Sequence, residues 1–300
     1  MPHVRAVVPL LWLLAACGPA ETGTLLLDPD PDATGALGER GAAGAALWDL
    51  RGLTRAQEGL RFDVVAPATA SGEVDPAGPH PAVLLLQGGL VEVASYRWLA
   101  AHLATRGYLV VSPVHPLDLA LGEPGQARAA LDHVEAWAEG AGGLSGAVAP
   151  GAPAAAVGHS LGGVVAAQLW AGDPQISELV LLASFPAGGT PVEDQPGAAL
   201  SILGADDAVA DPAGVRDGAA RLPAGSRLAV VEGLNHYGWV KPLSDADAAK
   251  EPAPSRPPAE ARVDALRPLD AWLDAGLLGD ADAAAAVEAG AFEGVSWEAP

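Results

Sequence analysis

The chain has 300 residues, half of them hydrophobic by type, which suffices for one large buried core, and a single main domain is the expectation. Thirty-seven acidic residues stand against 16 basic ones, giving a formal charge of −21 at pH 7. Such a surface repels polyanions, so nucleic acid is excluded as a partner.

The chain opens with MPHVRAVVPLLWLLAACGPA: Arg5, an apolar stretch from about Val7 to Ala16, then Cys17, the only cysteine. The stretch is too short to span a bilayer as a helix and suits the apolar region of a signal peptide. Leu14-Ala15-Ala16-Cys17 resembles the bacterial lipobox. That resemblance implies removal of residues 1–16, lipidation of Cys17, export, and anchoring on the periplasmic or cell-surface face of a bacterial membrane; without lipidation the chain is simply secreted. No second cysteine is present for a disulfide, so the fold must stand without one.

Residues 17–47 are rich in Gly, Pro and Asp and lack periodicity, which suits a flexible tether. The folded domain is expected over 48–278. Strands are expected at about 61–66, 82–87, 108–112, 154–158, 178–183, 199–203 and 227–232, several of them continuous Val/Leu runs of the kind buried on both faces. Helices are expected at about 94–106, 125–139, 160–171, 212–221 and 259–275. Within 125–139, Ala127, Ala130, Leu131, Val134 and Trp137 recur at three- and four-residue spacing, a stripe that faces a sheet. The alternation of strands and helices predicts an α/β fold with a mostly parallel central sheet and helices on both faces. The proline-rich stretch 241–258 reads as a surface loop, and the Ala-rich acidic tail 279–300 carries no assignable pattern.

One strand-to-helix junction carries chemistry. Gly158-His159-Ser160-Leu161-Gly162-Gly163 follows an apolar run and leads into VVAAQLW, the strand–turn–helix setting of a nucleophile elbow. A serine held in a strained turn needs neighbours nearly free of side chain, and Gly158 and Gly162 meet that need. Alone, Gly-x-Ser-x-Gly also fits a simple turn in a glycine-rich chain. A serine nucleophile requires a base, and the base an orienting carboxylate. GADDAVADP follows the sixth expected strand and EGLNHYGW the seventh, at the strand ends where ligand sites of parallel sheets collect. The order Ser160, Asp207, His236 is that of a hydrolase of this architecture.

GHSLGG, GADDAVADP, GLNHYGW and the upstream PAVLLLQGG together resemble the elbow, acid loop, histidine loop and oxyanion loop of serine α/β-hydrolases, nearest the compact lipase, cutinase and chlorophyllase-like esterases. The resemblance covers about residues 60–275. It implies an α/β-hydrolase fold, with Ser160 as nucleophile, His236 as base and Asp207 as its carboxylate; Asp206 is the alternative. It also implies an oxyanion hole from the backbone N–H groups of Leu161 and Gly89, with Gln87 where the family commonly has histidine.

Only about 15 residues separate strands 178–183 and 199–203, which leaves no room for a large cap and suggests an open site with Ser184, Phe185 and Tyr237 as walls. His159, whose side chain should point away from Ser160, reads as a packing residue or as a support behind the site, and His115 as either a pocket or a loop residue. The expected activity is hydrolysis of carboxylic esters of small-molecule, lipid or polymeric substrates. Amidase, thioesterase or peptidase chemistry on the same triad is the alternative within enzymes, and a lipid-anchored binding protein that kept only the fold is the alternative outside them. No metal or organic cofactor is expected, because the histidines lack ligand spacing and the cysteine lies in the leader.

Overall fold

The computed structural model describes residues 24–25, 44–51, 61–115, 124–142, 144–241 and 243–298. The leader, Cys17 and most of the expected tether lie outside these residues. Among the described residues ten strands form one sheet: β1 (Thr24–Leu25), β2 (Gly44–Arg51), β3 (Arg61–Ala68), β4 (Ala82–Leu86), β5 (Leu109–Pro113), β6 (Ala154–His159), β7 (Ile176–Leu182), β8 (Ala199–Gly204), β9 (Arg227–Val231) and β10 (Val295–Glu298). Their order is β1-β2-β3-β5-β4-β6-β7-β8-β9-β10. From β5 to β9 every pairing is parallel, while β1 to β3 and β10 add antiparallel edges.

The helices are α1 (Arg97–Thr105), α2 (Pro124–Ala138), α3 (Leu161–Gly172), α4 (Pro212–Ala219), a single turn α5 (Asp245–Ala248), α6 (Pro258–Leu278) and α7 (Ala281–Ala289). Each of the seven strands and five helices expected from the hydrophobic pattern is present, with ends shifted by three residues or fewer. The segment from Ser184 to Ala198 contains neither helix nor strand, so no large cap is present.

Alternation within the central strands explains the two-layer burial. Ala82, Leu84 and Leu86 of β4 join one apolar cluster with α2, α3 and α4, whereas Val83 and Leu85 join the other with α1 and α6. The α2 stripe of Ala127, Ala130, Leu131, Val134 and Trp137 is buried as its spacing requires. On the opposite face α6 is held by polar contacts as well. His102 Nε2 lies 3.0 Å from Asp270, Arg106 pairs with Asp270 and Asp274, and Tyr108 Oη donates to Asp274 at 2.6 Å. Each carboxylate in this dry cluster has a partner, without which its burial would cost several kcal/mol.

Two regions differ from the sequence reading. Order begins before Trp48: Gly44–Arg51 pairs residue for residue with Arg61–Ala68, and Thr24–Leu25 pairs with Leu47 and Ala46, so parts of the expected tether belong to the sheet. The tail contains α7, with Asp280 accepting from the Asp282 and Ala283 amides at its start and Gly290 in a left-handed conformation after its end. It also contains β10, which pairs with β9. An Ala-rich helix has high propensity but no stripe, and hence no periodicity to read.

The chain leaves β4 toward β5 on one side and leaves β6 toward β7 on the other. Ligand crevices of parallel sheets open at such a switch, outside the C-terminal strand ends. Those ends carry Gln87-Gly88-Gly89 and Ser160.

Glu178 of β7 supplies a test of the packing of α6. It lies under α6, where a Cβ on Gly276 would collide with its carboxyl group, and burial pushes its pKa up to about 7, the Trp272 indole pulling slightly the other way. A raised carboxyl pKa favours the protonated fold, so the associated stability is complete below the unfolded value of about 4.3 and is lost as pH rises through about 7. Glu178→Gln removes that loss. Between pH 5 and pH 8 the wild type should lose about 1–2 kcal/mol relative to the variant, read from urea midpoints; parallel pH profiles would contradict the burial.

Candidate active site

Ser160 sits between β6 and α3 with φ 51° and ψ −122°, a conformation that costs a non-glycine residue about 1–3 kcal/mol. Three hydrogen bonds hold it there. Its N–H donates to Leu182 O (2.9 Å), and its carbonyl accepts from Ser184 Oγ (2.6 Å) and the Gly163 amide (3.0 Å). The flanking glycines are required by close approach: a Cβ on Gly158 would strike the Gly162 carbonyl, and one on Gly162 would strike the carbonyl oxygens of Leu86 and Gln87. Ser184 is therefore not a site wall, as the sequence suggested, but a buried support beneath the turn. Phe185 is exposed at the surface, and Tyr237 is buried.

The acid and histidine loops meet through their backbones. A Cβ on Gly204 would collide with Leu234 O, and the Asp206 amide donates to that same oxygen at 3.0 Å. His236, in a short turn after β9, places Nδ1 3.0 Å from Asp207 Oδ2, and both side chains are buried. Asp207 Oδ1 accepts from the amides of Val209 (2.9 Å) and Ala210 (2.8 Å), which orients the carboxylate. Asp206 points elsewhere, accepting from the Ser255 amide. Of the two adjacent aspartates, Asp207 is the partner of His236. No hydrogen bond joins Ser160 Oγ to His236 among the described residues; catalytic hydrogen bonds are often long in ligand-free sites and tighten in the substrate complex.

Of the two roles expected for His159, its hydrogen bonds give it that of a support behind the site. Its Nε2 lies 3.0 Å from His236 O, an acceptor, so the tautomer assigned from the network carries hydrogen on Nε2. Nδ1 then accepts from Tyr96 Oη at 2.7 Å, and Tyr96 Oη accepts from the Gly88 amide at 2.9 Å. Burial holds the His159 imidazole well below its ordinary pKa, with His236 adding to the effect, and burial also pushes the Tyr96 phenol up. Both groups therefore stay neutral. The chain Gly88–Tyr96–His159–His236 joins the oxyanion loop to the histidine loop.

This network also bears on the two amides expected to meet an oxyanion. The Gly88 amide is committed to Tyr96, which leaves that of Gly89 for a ligand, and Gly89 packs against Leu161, where a Cβ would lie 2.5 Å from Cδ1. Leu161 is the first residue of α3, so its N–H has no partner within the helix and sits at the positive end of the helix dipole.

Two contributors were invisible in sequence. Tyr96 lies eight residues beyond Gly88 with no motif to mark it. Glu251, in the segment read as a solvated loop, accepts from the amides of Ala208 (3.0 Å), His236 (3.0 Å) and Tyr237 (3.1 Å). His115 is buried at the end of β5.

The Asp207–His236 contact should give a downfield Nδ1 proton in the NMR spectrum. The resonance should vanish in Asp207→Asn and persist in Asp206→Asn; the reverse pattern would reassign the carboxylate.

No curated protein matches the chain. Residues 82–241, running from β4 through the histidine turn, match the model of the alpha/beta hydrolase family. That match covers more than half of the sequence and includes Gly89, Ser160, Asp207 and His236 in the fold just described, and the chain belongs to the alpha/beta hydrolase family.

Proposed function

We propose that the protein is a serine hydrolase of uncharged carboxylic esters. The observation that supports this reading is a strained serine at the start of α3 and a carboxylate-held histidine whose backbone is hydrogen-bonded to the residue before that serine. Ser160 Oγ attacks the acyl carbon while its proton passes to His236 Nε2, and Asp207 holds the Nδ1 proton and stabilises the imidazolium. The negative charge on the former carbonyl oxygen is met by the Gly89 and Leu161 amides, whose loss in related sites costs about 100- to 1,000-fold in rate. Collapse expels the alcohol, which takes the proton from His236. Water then attacks the acyl-enzyme by the same path and frees the acid and Ser160.

A groove of about 380 Å³ runs between the oxyanion loop and the segment after the histidine turn, with Leu90, Val91, Val240 and Leu243 among its walls and Glu92 and Asp247 at its sides. Leu90, next to Gly89, is held at φ 61° with 70% of its surface exposed, an apolar group kept at the rim against its own preferences. Apolar walls with carboxylates nearby favour an uncharged acyl or alcohol group and disfavour an anionic one.

The test is hydrolysis of p-nitrophenyl esters from acetate to palmitate. A rate that disappears in Ser160→Ala and falls about 10³- to 10⁴-fold in Asp207→Asn is expected, with Leu90→Ser slowing long chains more than acetate. Folded protein with no Ser160-dependent rate on any ester would overturn the reading.

A further inference from the structure

Resting on the proposed hydrolase reading, we infer that Glu251 is a positioning residue that clamps the acid and histidine loops together. Its carboxylate contacts three backbone amides on two separate loops. Oε1 accepts from Ala208, directly after Asp207, and from His236 itself, and Oε2 accepts from Tyr237, the next residue. One ionised side chain thereby spans the neighbours of both members of the Asp207–His236 pair. Hydrogen bonds to an ionised acceptor are roughly twice as strong as neutral ones, and three donors exploit the several lone pairs a carboxylate offers.

The same segment makes a second attachment four residues on, where the Ser255 amide donates to Asp206. The segment around 251–255 thus reaches back to the acid loop at both Asp206 and Ala208. The stretch follows the single turn α5 and contributes no residue to the two apolar clusters, and its flanks are tied by polar contacts as well, Lys250 lying over the Tyr237 ring and Arg256 pairing with Asp264 and Glu232. The stretch read as a solvated loop is a brace for the site.

A brace of this kind acts on the geometry of His236 and leaves the substrate's binding surfaces alone. Release of the clamp lets the His236 backbone move relative to Asp207, and a misplacement near 1 Å in a reacting group costs about 100-fold in rate. Glu251→Ala should therefore lower kcat about 10- to 100-fold with KM changed less than about threefold. Glu251→Gln keeps one acceptor oxygen for Ala208 and His236 but turns an NH2 toward the Tyr237 amide, so its loss should be intermediate.

The experiment measures kcat and KM for an ester substrate in the full chain and both variants, with the downfield His236 Nδ1 proton recorded in each. Reduced kcat, steady KM, a broadened or displaced resonance and partial rescue by glutamine support the clamp. Unchanged kcat with an unchanged resonance in folded Glu251→Ala overturns it, as does a rise in KM alone, which would make Glu251 a substrate contact. A wild type that hydrolyses no ester would sink the hydrolase reading, and the resonance would still decide whether Glu251 holds the histidine.

Discussion

The site depends on one backbone-on-backbone contact, where β6 turns into α3 against the end of β4. Gly158, Gly162 and Gly163 leave no room for a Cβ between the turn, the Leu86–Gln87 carbonyls and Ser184. That closeness forces Ser160 into its strained conformation and sets the start of α3 beside the loop carrying Gly89. Ser160, the start of α3 and the Gly89 loop are fixed relative to one another by sterics, before any side-chain chemistry is considered. The parallel sheet supports the arrangement because β4 and β6 lie side by side at the switch in strand order.

The other loops are tied to this rigid point by polar links of different character. On one side a neutral, buried chain runs from Gly88 through Tyr96 and His159 to the His236 carbonyl. On the other, ionised Glu251 and Asp207 gather amides from the acid and histidine loops. His236 is held by its backbone from both directions and by its ring from a third. Buried networks of this sort rigidify only when each member is satisfied, and here the tautomer of His159 is what satisfies the chain. Residue 159 thus couples the two halves of the site while occupying a strand position.

What the sequence made legible follows from which forces leave a mark in residue type. Continuous Val/Leu runs marked the central strands because both their faces are buried, and glycine spacing marked the elbow because close approach excludes side chains. Gly44–Arg51 was missed as a strand because its small residues resemble the tether before it, and Ala281–Ala289 because it has helix propensity without a stripe. The choice between Asp206 and Asp207 turned on backbone direction, which two identical neighbours cannot reveal. Glu251 was unreadable for a related reason: its partners are backbone amides, which every residue but proline offers, so the contacts constrain no side chain opposite, and Tyr96 meets one such amide and a histidine 63 residues away with no motif to join them.

The proposed hydrolase requires Ser160 to be activated by His236, whose ring is held by Asp207 and whose backbone is bonded to His159. The most direct measurement is the site and rate of covalent modification by a fluorophosphonate, mapped by peptide mass spectrometry in wild type and His236→Ala. Rapid, stoichiometric labelling of Ser160 that slows by orders of magnitude without His236 is the result this account requires. Labelling at another serine, or equal labelling of Ser160 in folded His236→Ala, would contradict it.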